Sequence, residues 1–305
     1  MFMKKVLTIF FVLMCAFSIF AQAQVEVGEG QALAAAKEAT SESEAPQSII
    51  SLGPNVTEII YALGAGDSLV GRTDYCNYPE EALSVQSVGT LYEPNLELII
   101  SLNPDIVIAS SIVDPAFMTE LEKAGIKTLQ IVKEESLEGT YELITEIGSA
   151  IGKAAEASEL VSNMKDRIAK ITAVTSQIPE SDKKSAVYII SWGDWGDYAA
   201  TGDTYLNDVL EVAGAINAAQ SASYWSISKE LLVSQDPDVI LLPAYSYSDP
   251  QADIAAFKST EPYSTLSASK NDAVYSVNGD AAERQGVRTV DTIEEIAKLL
   301  YPNLF

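Results

Sequence analysis

Two α/β lobes joined by a single long rigid α-helix are the fold this 305-residue sequence predicts, and three observations predict it. Strand-turn-helix units occur on both sides of the midpoint. The stretch Asn95–Ile108 aligns without gaps on Ile227–Ile240, as two copies of one unit would. Between them, residues 136–178 carry one helical pattern with no proline before Pro179. Strands alternating with helices on either side of such a strut imply two Rossmann-like lobes, residues 47–135 and 179–305.

Taken in order, Lys4 and Lys5 precede the apolar run Val6 to Phe20 and the small-residue exit Ala21-Gln22-Ala23, so residues 1–23 are expected to be a secretory signal peptide. Lipidation at Cys15 is disfavoured, because Met14 precedes it and the apolar run continues past it. Residues 24–46, rich in Ala, Glu, Gly and Ser without periodicity, form a flexible leader. Order is expected from Gln47, with a strand at Ser48–Ser51, a turn at Leu52–Asn55 and a helix from Val56 to Leu63 closed by Gly64-Ala65-Gly66. In the long helix, Tyr141, Ile144, Ile147, Ile151, Ala155, Leu160, Met164, Ile168 and Ile171 step mostly by three or four, and Ser136 caps its start. Unbroken, it would be a rod of about 50 to 60 Å. The heptad is not kept through Gly148, Gly152 and Glu156, which favours a strut over a coiled coil. Beyond it, Ala186–Ser191 is a strand, Trp192–Asp203 a loop and Tyr205–Val212 a helix ending in Ala213-Gly214-Ala215. Each repeated stretch gives a short helix, a Pro-Asp turn and an apolar run suited to a buried parallel strand. The last helix opens with Asp291 and Glu294 at capping-box spacing and runs through Ile293, Ile296, Ala297 and Leu300.

The net charge is -24, and loss of the signal removes two lysines and no acid. An acidic surface repels phosphate backbones, so nucleic acid and anionic membranes are excluded as partners and a basic protein partner fits. The sequence has no histidine, which rules out Ser-His-Asp triads, histidine metal sites and imidazole acid-base chemistry. Cys76 is the one cysteine left after cleavage, and with nothing near it in sequence to lower its pKa it reads as a small packing residue.

In open parallel sheets ligands bind beyond the carboxyl ends of the strands. Those loops hold Gly53-Pro54-Asn55, Arg72 to Pro79 with Tyr75 and Tyr78, Leu91-Tyr92 and Ser110 to Asp114 in the first lobe. In the second they hold Trp192 to Tyr198, Tyr224-Trp225, Tyr245 and Tyr247, and Asn278-Gly279 with Arg284. All three tryptophans fall in the second set, among Gly, Asp and Ser and outside any apolar stripe, which favours a ligand wall over a sheet-end plug. Arg72 and Asp74 form either an ordered loop pair or a ligand contact. Asp194 and Asp197 read as turn formers ahead of a catalytic acid pair. Glu230 is either a first-turn dipole partner, as Glu97 is at the matching place, or a docking charge.

Ser51-Leu52-Gly53-Pro54-Asn55-Val56-Thr57-Glu58, Tyr75-x-x-Tyr78-Pro79, Asn95–Ile108, Val209 to Gly214 and Ser228-x-Glu230 resemble the periplasmic ligand-binding proteins of cobalamin and iron-siderophore ABC importers. The likeness covers nearly all of residues 47–305, and Tyr75-Cys76-Asn77-Tyr78-Pro79 is most similar to the cobalamin-binding branch. It implies that Pro54, Tyr75, Tyr78, Tyr224 and the aromatics Trp195 and Tyr198 line a corrinoid cleft and that Glu230 meets an arginine of the permease. Two positions depart from the pattern. Ser110 replaces an aromatic, and the first-lobe docking glutamate falls on Pro115 or Ala116, with Asp114 or Glu120 as substitutes.

The expectation is therefore a periplasmic, monomeric binding protein, not an enzyme. It has no catalytic residue, metal or cofactor, and it delivers a small-molecule ligand, a corrinoid, to the permease of an ABC importer. Its ligand contacts are Pro54, Asn55, Arg72, Tyr75, Tyr78, Tyr92, Trp192, Trp195, Tyr198, Tyr224, Trp225, Tyr245 and Arg284, and its docking charges are Glu230 and Asp114. A ferric siderophore or haem is the rival cargo, a sensor module handing the same ligand to a receptor keeps the fold, and an exported hydrolase using Asp194 and Asp197 is the rival class.

Overall fold

The strands read as unbroken apolar runs because both faces of each sheet are covered. The computed structural model describes residues 45–305 apart from Ser111 and Trp195; the signal segment with Cys15 and the leader to Glu44 lie outside the described residues. In the first lobe, β1 (Ile49–Leu52), α1 (Pro54–Ala62), β2 (Leu69–Arg72), α2 (Leu96–Leu102), β3 (Ile106–Ala109), α3 (Pro115–Lys123) and β4 (Thr128–Gln130) follow one another. They form a parallel sheet in the order β2-β1-β3-β4. Alternate residues of its central strands face opposite cores: Ile49, Ile106 and Ile108 one, and Ile50, Leu52 and Val107 the other.

The stretch expected to be one rod is two helices, α4 (Leu137–Ala150) and α5 (Ala154–Thr175). Gly152 sits at φ +73, the Lys153 N–H bonds the Gly148 carbonyl at 2.6 Å and the Gly152 N–H bonds Ser149 at 3.4 Å. That pair of bonds is a Schellman stop, in which a left-handed glycine satisfies the last carbonyls and turns the chain out of the helix. The two helices then fold back on each other. A Cβ on Gly148 would lie 2.4 Å from the Ala157 Cβ, and Lys165 Nζ lies 3.5 Å from Glu138 and 4.5 Å above the Tyr141 ring. The 22 residues of α5 make a helix of about 33 Å, shorter than the expected rod.

The second lobe contains β5 (Ser185–Ser191), β6 (Asp197–Ala199), α6 (Tyr205–Val212), β7 (Ile216–Asn217), β8 (Ser226–Ile227), α7 (Lys229–Gln235), β9 (Val239–Ala244), α8 (Pro250–Ser259), α9 (Ser267–Lys270), β10 (Val274–Asn278), α10 (Gly279–Glu283) and α11 (Thr289–Leu300). Strands β10, β9 and β5 are parallel, β7 pairs with the start of β5, and β6 and β8 extend the sheet antiparallel. Helix α11 begins two residues before the expected capping box. Asp291 and Glu294 bind Arg167 instead, at 2.7 and 3.0 Å, and so hold α11 against α5.

One apolar cluster joins the lobes. It runs from Ile49 and Ile106 through Ile59, Ile144, Met164, Leu206 and Ile293 to Tyr188 and Leu241. Burying each such aliphatic side chain stabilises the fold by about 1.5–3 kcal/mol, so the helices between the sheets act as shared core.

The repeat is real in three dimensions, but its register is one residue from the gapless alignment. Asn95 caps α2 and Ser228 caps α7, each accepting the N–H three residues on. Asn103 and Asp236 end those helices in left-handed conformations, at φ 46 and φ 40. Pro104 then pairs with Pro237 and Asp105 with Asp238. The shifted frame also superposes Glu97 on Glu230, Ser101 on Ser234 and Pro104-Asp105 on Pro237-Asp238, identities that the frame starting at Ile227 does not give.

Candidate ligand-binding cleft

Loops at the carboxyl ends of both sheets converge on a cleft of about 470 Å³, within the usual range for a small-molecule site. The first lobe contributes Pro54, Asn55, Tyr75, Leu91, Ser110, Ile112 and Glu135. From the second come Tyr205, Trp225, Tyr245, Tyr247, Gly279, Asp280, Glu283, Arg284 and Gln285.

Each wall is fixed by local chemistry. Pro54 opens α1, where its fixed φ suits the first helical turn and its missing N–H costs nothing. Beside it, Asn55 donates to the Gln285 carbonyl across the cleft at 3.3 Å. Tyr224 and Trp225 both adopt left-handed backbone, at φ 58 and φ 59, which costs a non-glycine residue about 1–3 kcal/mol. Asp203 and Thr201 hold that strain by accepting the Tyr224 and Trp225 N–H groups at 2.9 and 3.1 Å. The result turns Trp225 into the cleft, which Glu135 also lines. Tyr245 and Tyr247 stack with ring centroids 5.2 Å apart, and Tyr247 is 84% exposed at the rim, a flat platform open to a planar guest.

Carboxylates dominate the electrostatics. Glu283 accepts from Tyr188 at 2.9 Å and Tyr245 at 2.7 Å, yet burial outweighs these bonds and raises its pKa. Burial likewise raises Glu135, against the bonds from the Trp225 indole and the Tyr205 N–H. Arg284 is spent on neighbours: Glu58 at 3.0 Å, Asp280 at 2.7 Å and Asn77 at 2.7 Å. Behind it, Arg288 grips Glu58 through two bonds of 2.7 and 2.6 Å. Glu58 belongs to α1 and both arginines to the second lobe, so this triad, with Glu58 and Arg288 buried and Arg284 half-buried, ties the lobes together.

Of the residues expected at the site, Pro54, Asn55, Tyr75, Trp225, Tyr245 and Arg284 are brought together in the cleft. Tyr78 lines a different inter-lobe pocket, with Arg288 4.4 Å above its ring. Arg72 faces its own loop, donating to the carbonyls of Thr73, Ala82 and Leu83. Trp192 packs edge-on against Phe257 and Tyr263, at 5.3 and 5.4 Å, and is the sheet-end plug rather than a ligand wall. Tyr92, Tyr198 and Tyr224 are exposed and do not line the cleft, and Trp195 lies outside the described residues. Glu230 and Asp114 are exposed at first turns of α7 and α3, and Asp114 also caps its helix through the Ala116 N–H.

Sequence reasoning missed Glu135, Tyr205, Asp280, Glu283 and Gln285. The turn Asn278-Gly279 had pointed to the segment of Asp280, Glu283 and Gln285 but not to Glu135 or Tyr205, and nothing in the order of residues singles out an acid that only folding desolvates. The acid pair of the hydrolase reading does not form: Asp194 is exposed, while Asp197 is buried and accepts from the Gly193 N–H and the Tyr263 hydroxyl, a loop-holding role. Cys76 is fully buried beside the Thr73 hydroxyl. No helix among the described residues is long and apolar enough to cross a membrane.

Residues 49–281 match the periplasmic binding protein family. The ABC transporter substrate-binding lipoprotein YvrC of Bacillus subtilis (strain 168) is 34% identical over 264 residues, covering 85% of this chain and 82% of its own. The vitamin B12-binding protein of Vibrio parahaemolyticus is 29% identical over 265 residues, covering 85% of this chain and 91% of its own. A periplasmic heme binding protein from Pseudomonas aeruginosa shares the fold, with a TM-score of 0.76 at 23% identity over 85% of this chain and 94% of that one. The chain belongs to the periplasmic binding protein family, and with that family it is a substrate-binding protein of an ABC transporter rather than an enzyme.

Proposed function

We propose that this protein works outside the cytoplasmic membrane, captures a corrinoid between its lobes and passes it to the permease of an ABC importer. The observation that carries this reading is the charge of the cleft. Its one guanidinium, Arg284, is already held by Glu58 and Asp280, so the anionic groups of a catecholate siderophore meet no unpaired cation among the described lining residues. A macrocycle fringed with neutral amides meets stacked tyrosines, an indole and hydrogen-bond acceptors. The likeness to the Vibrio vitamin B12-binding protein points the same way. Titrating the purified protein with cyanocobalamin should give saturable heat and quenching of tryptophan emission; absence of both sinks the corrinoid.

Haem is the second reading, favoured by the phenols of Tyr75 and Tyr247 at the cleft, a side chain type that ligates haem iron; the Tyr245 hydroxyl is committed to Glu283. A saturable shift in the visible spectrum of haemin, with no response to cyanocobalamin, would replace the corrinoid by haem.

For docking, the repeat supports Glu97 as a first-lobe candidate beside Asp114. The counterpart of Glu230 is Glu97, exposed in the first turn of α2, whereas Asp114 is engaged as a helix cap. Glu97 and Glu230 are thus matched charges on the two lobes, suited to two basic residues of a permease. Glu97→Ala and Glu230→Ala should each lower uptake while leaving ligand affinity unchanged; loss of affinity in either variant would refute the docking role.

A further inference from the structure

Glu135 and Glu283 both line the cleft, and neither forms an ion pair with lysine or arginine among the described residues. Glu283 is oriented by the hydroxyls of Tyr188 and Tyr245, and Glu135 lines the same cleft beside Trp225 and Tyr205, so both carboxylates have acceptor capacity left over. Tyr205 stands beside them. It is 3% exposed, it lines the same cleft, and its hydroxyl has no hydrogen-bond partner among the described residues. A buried hydroxyl left without a partner by the protein is one that a ligand can satisfy.

We propose that Glu135, Glu283 and the Tyr205 hydroxyl set the class of corrin this cleft accepts: one whose rim carries carboxamides, and not one whose rim carries carboxylates. Carboxamide N–H groups donate to the two glutamates, and a carboxamide carbonyl accepts from Tyr205. A rim of carboxylates would instead place like charges against both glutamates inside a partly desolvated site, where repulsion is weakly screened. This inference rests on the corrinoid reading above and sharpens it.

The test compares dicyanocobinamide, an amidated corrin, with the dicyano form of cobyrinic acid, which keeps the ring and cobalt but bears carboxylates, using cyanocobalamin as reference. Binding is read by calorimetry and tryptophan quenching. The amidated corrin should bind at least about tenfold tighter than the acid. Glu135→Gln and Glu283→Gln should each narrow that ratio, and Tyr205→Phe should weaken the amidated corrin alone. If cyanocobalamin binds but the two corrins bind alike, or if the ratio is unchanged in both glutamine variants, this inference fails and the corrinoid reading stands. If no corrin binds, both fall. Should Glu283→Gln not give the circular dichroism of the parent, the Glu135→Gln ratio decides.

Discussion

In the first lobe the Asp105 carboxylate accepts the N–H groups of Gln47 and Ser48, while the Ser48 hydroxyl accepts the Asp105 N–H. In the second, Asp238 accepts the N–H and hydroxyl of Ser185, and the Ser185 hydroxyl accepts the Asp238 N–H. The same serine-aspartate clamp thus closes the amino end of both sheets, followed in each by the same apolar strand. At the carboxyl ends the lobes differ. The first keeps a purely parallel sheet, whereas the second adds the antiparallel strands β6 and β8 and, beside them, two strained aromatic residues, one of which enters the cleft. The frame is duplicated and the ligand end is not. The clamps satisfy the same backbone groups at the start of the apolar strands in both copies, while the end facing a ligand is free to vary.

The largest expected effect asks whether the two lobes are one folding unit. Glu58→Ala leaves Arg284 and Arg288 without their shared carboxylate and should destabilise the protein by about 3–5 kcal/mol in denaturant unfolding. Two separate unfolding transitions, with the first lobe unaffected, would break the picture of a shared core. Next comes Gly148→Val, which forces α4 away from Ala157 and should cost about 1–3 kcal/mol, measured by thermal melting. A neutral result would mean that the hairpin yields easily.

The matched caps test the duplicated frame directly. Asn95→Ala and Ser228→Ala should each cost about 1 kcal/mol, and nearly the same amount, since they do the same work in the two lobes. Unequal losses would show that context, not the repeat, sets their value. At the divergent end, Tyr205→Phe removes a hydroxyl with no partner among the described residues, so the midpoint of unfolding should hold or rise slightly while corrinoid affinity falls.

The smallest effect is one of pH. Burial raises Glu135 and Glu283 above the ordinary 4.5, so the folded chain binds their protons more tightly than the unfolded chain. The stability this supplies is complete below pH 4.5 and is lost as pH rises through the raised values. Glu283→Gln should therefore show a shallower fall in stability from acid to neutral pH than the parent, and an identical slope would refute the assignment. Asp280 and Arg284 face the same group and remain in the variant.

Much of the fold was legible from the chain alone. The helix Tyr205–Val212 lies where the pattern put it, and β5 begins within one residue of the expected Ala186, because one apolar run is flanked by Gly202 and Gly214 and the other follows the polar stretch Glu180 to Ser185. The break at Gly152 was hidden because apolar spacing continues across it, and only the return of α5 onto α4 gives that glycine its role as a stop. The tryptophans show the same limit. Trp192 and Trp225 sit in loops of similar composition, yet one plugs the sheet and the other faces the cleft.

What the sequence by itself determined is the class of protein: alternating strands and helices, an internal repeat, a strong excess of acid and no histidine, all properties of local pattern and composition. Only the tertiary structure decided which residues meet. The pairing of Glu58 with Arg284 and Arg288, the desolvation of Glu135 and Glu283 and the orphaned hydroxyl of Tyr205 arise between segments far apart in the chain. The strength of a charge or a hydrogen bond depends on its surroundings, and those exist only once the chain has folded.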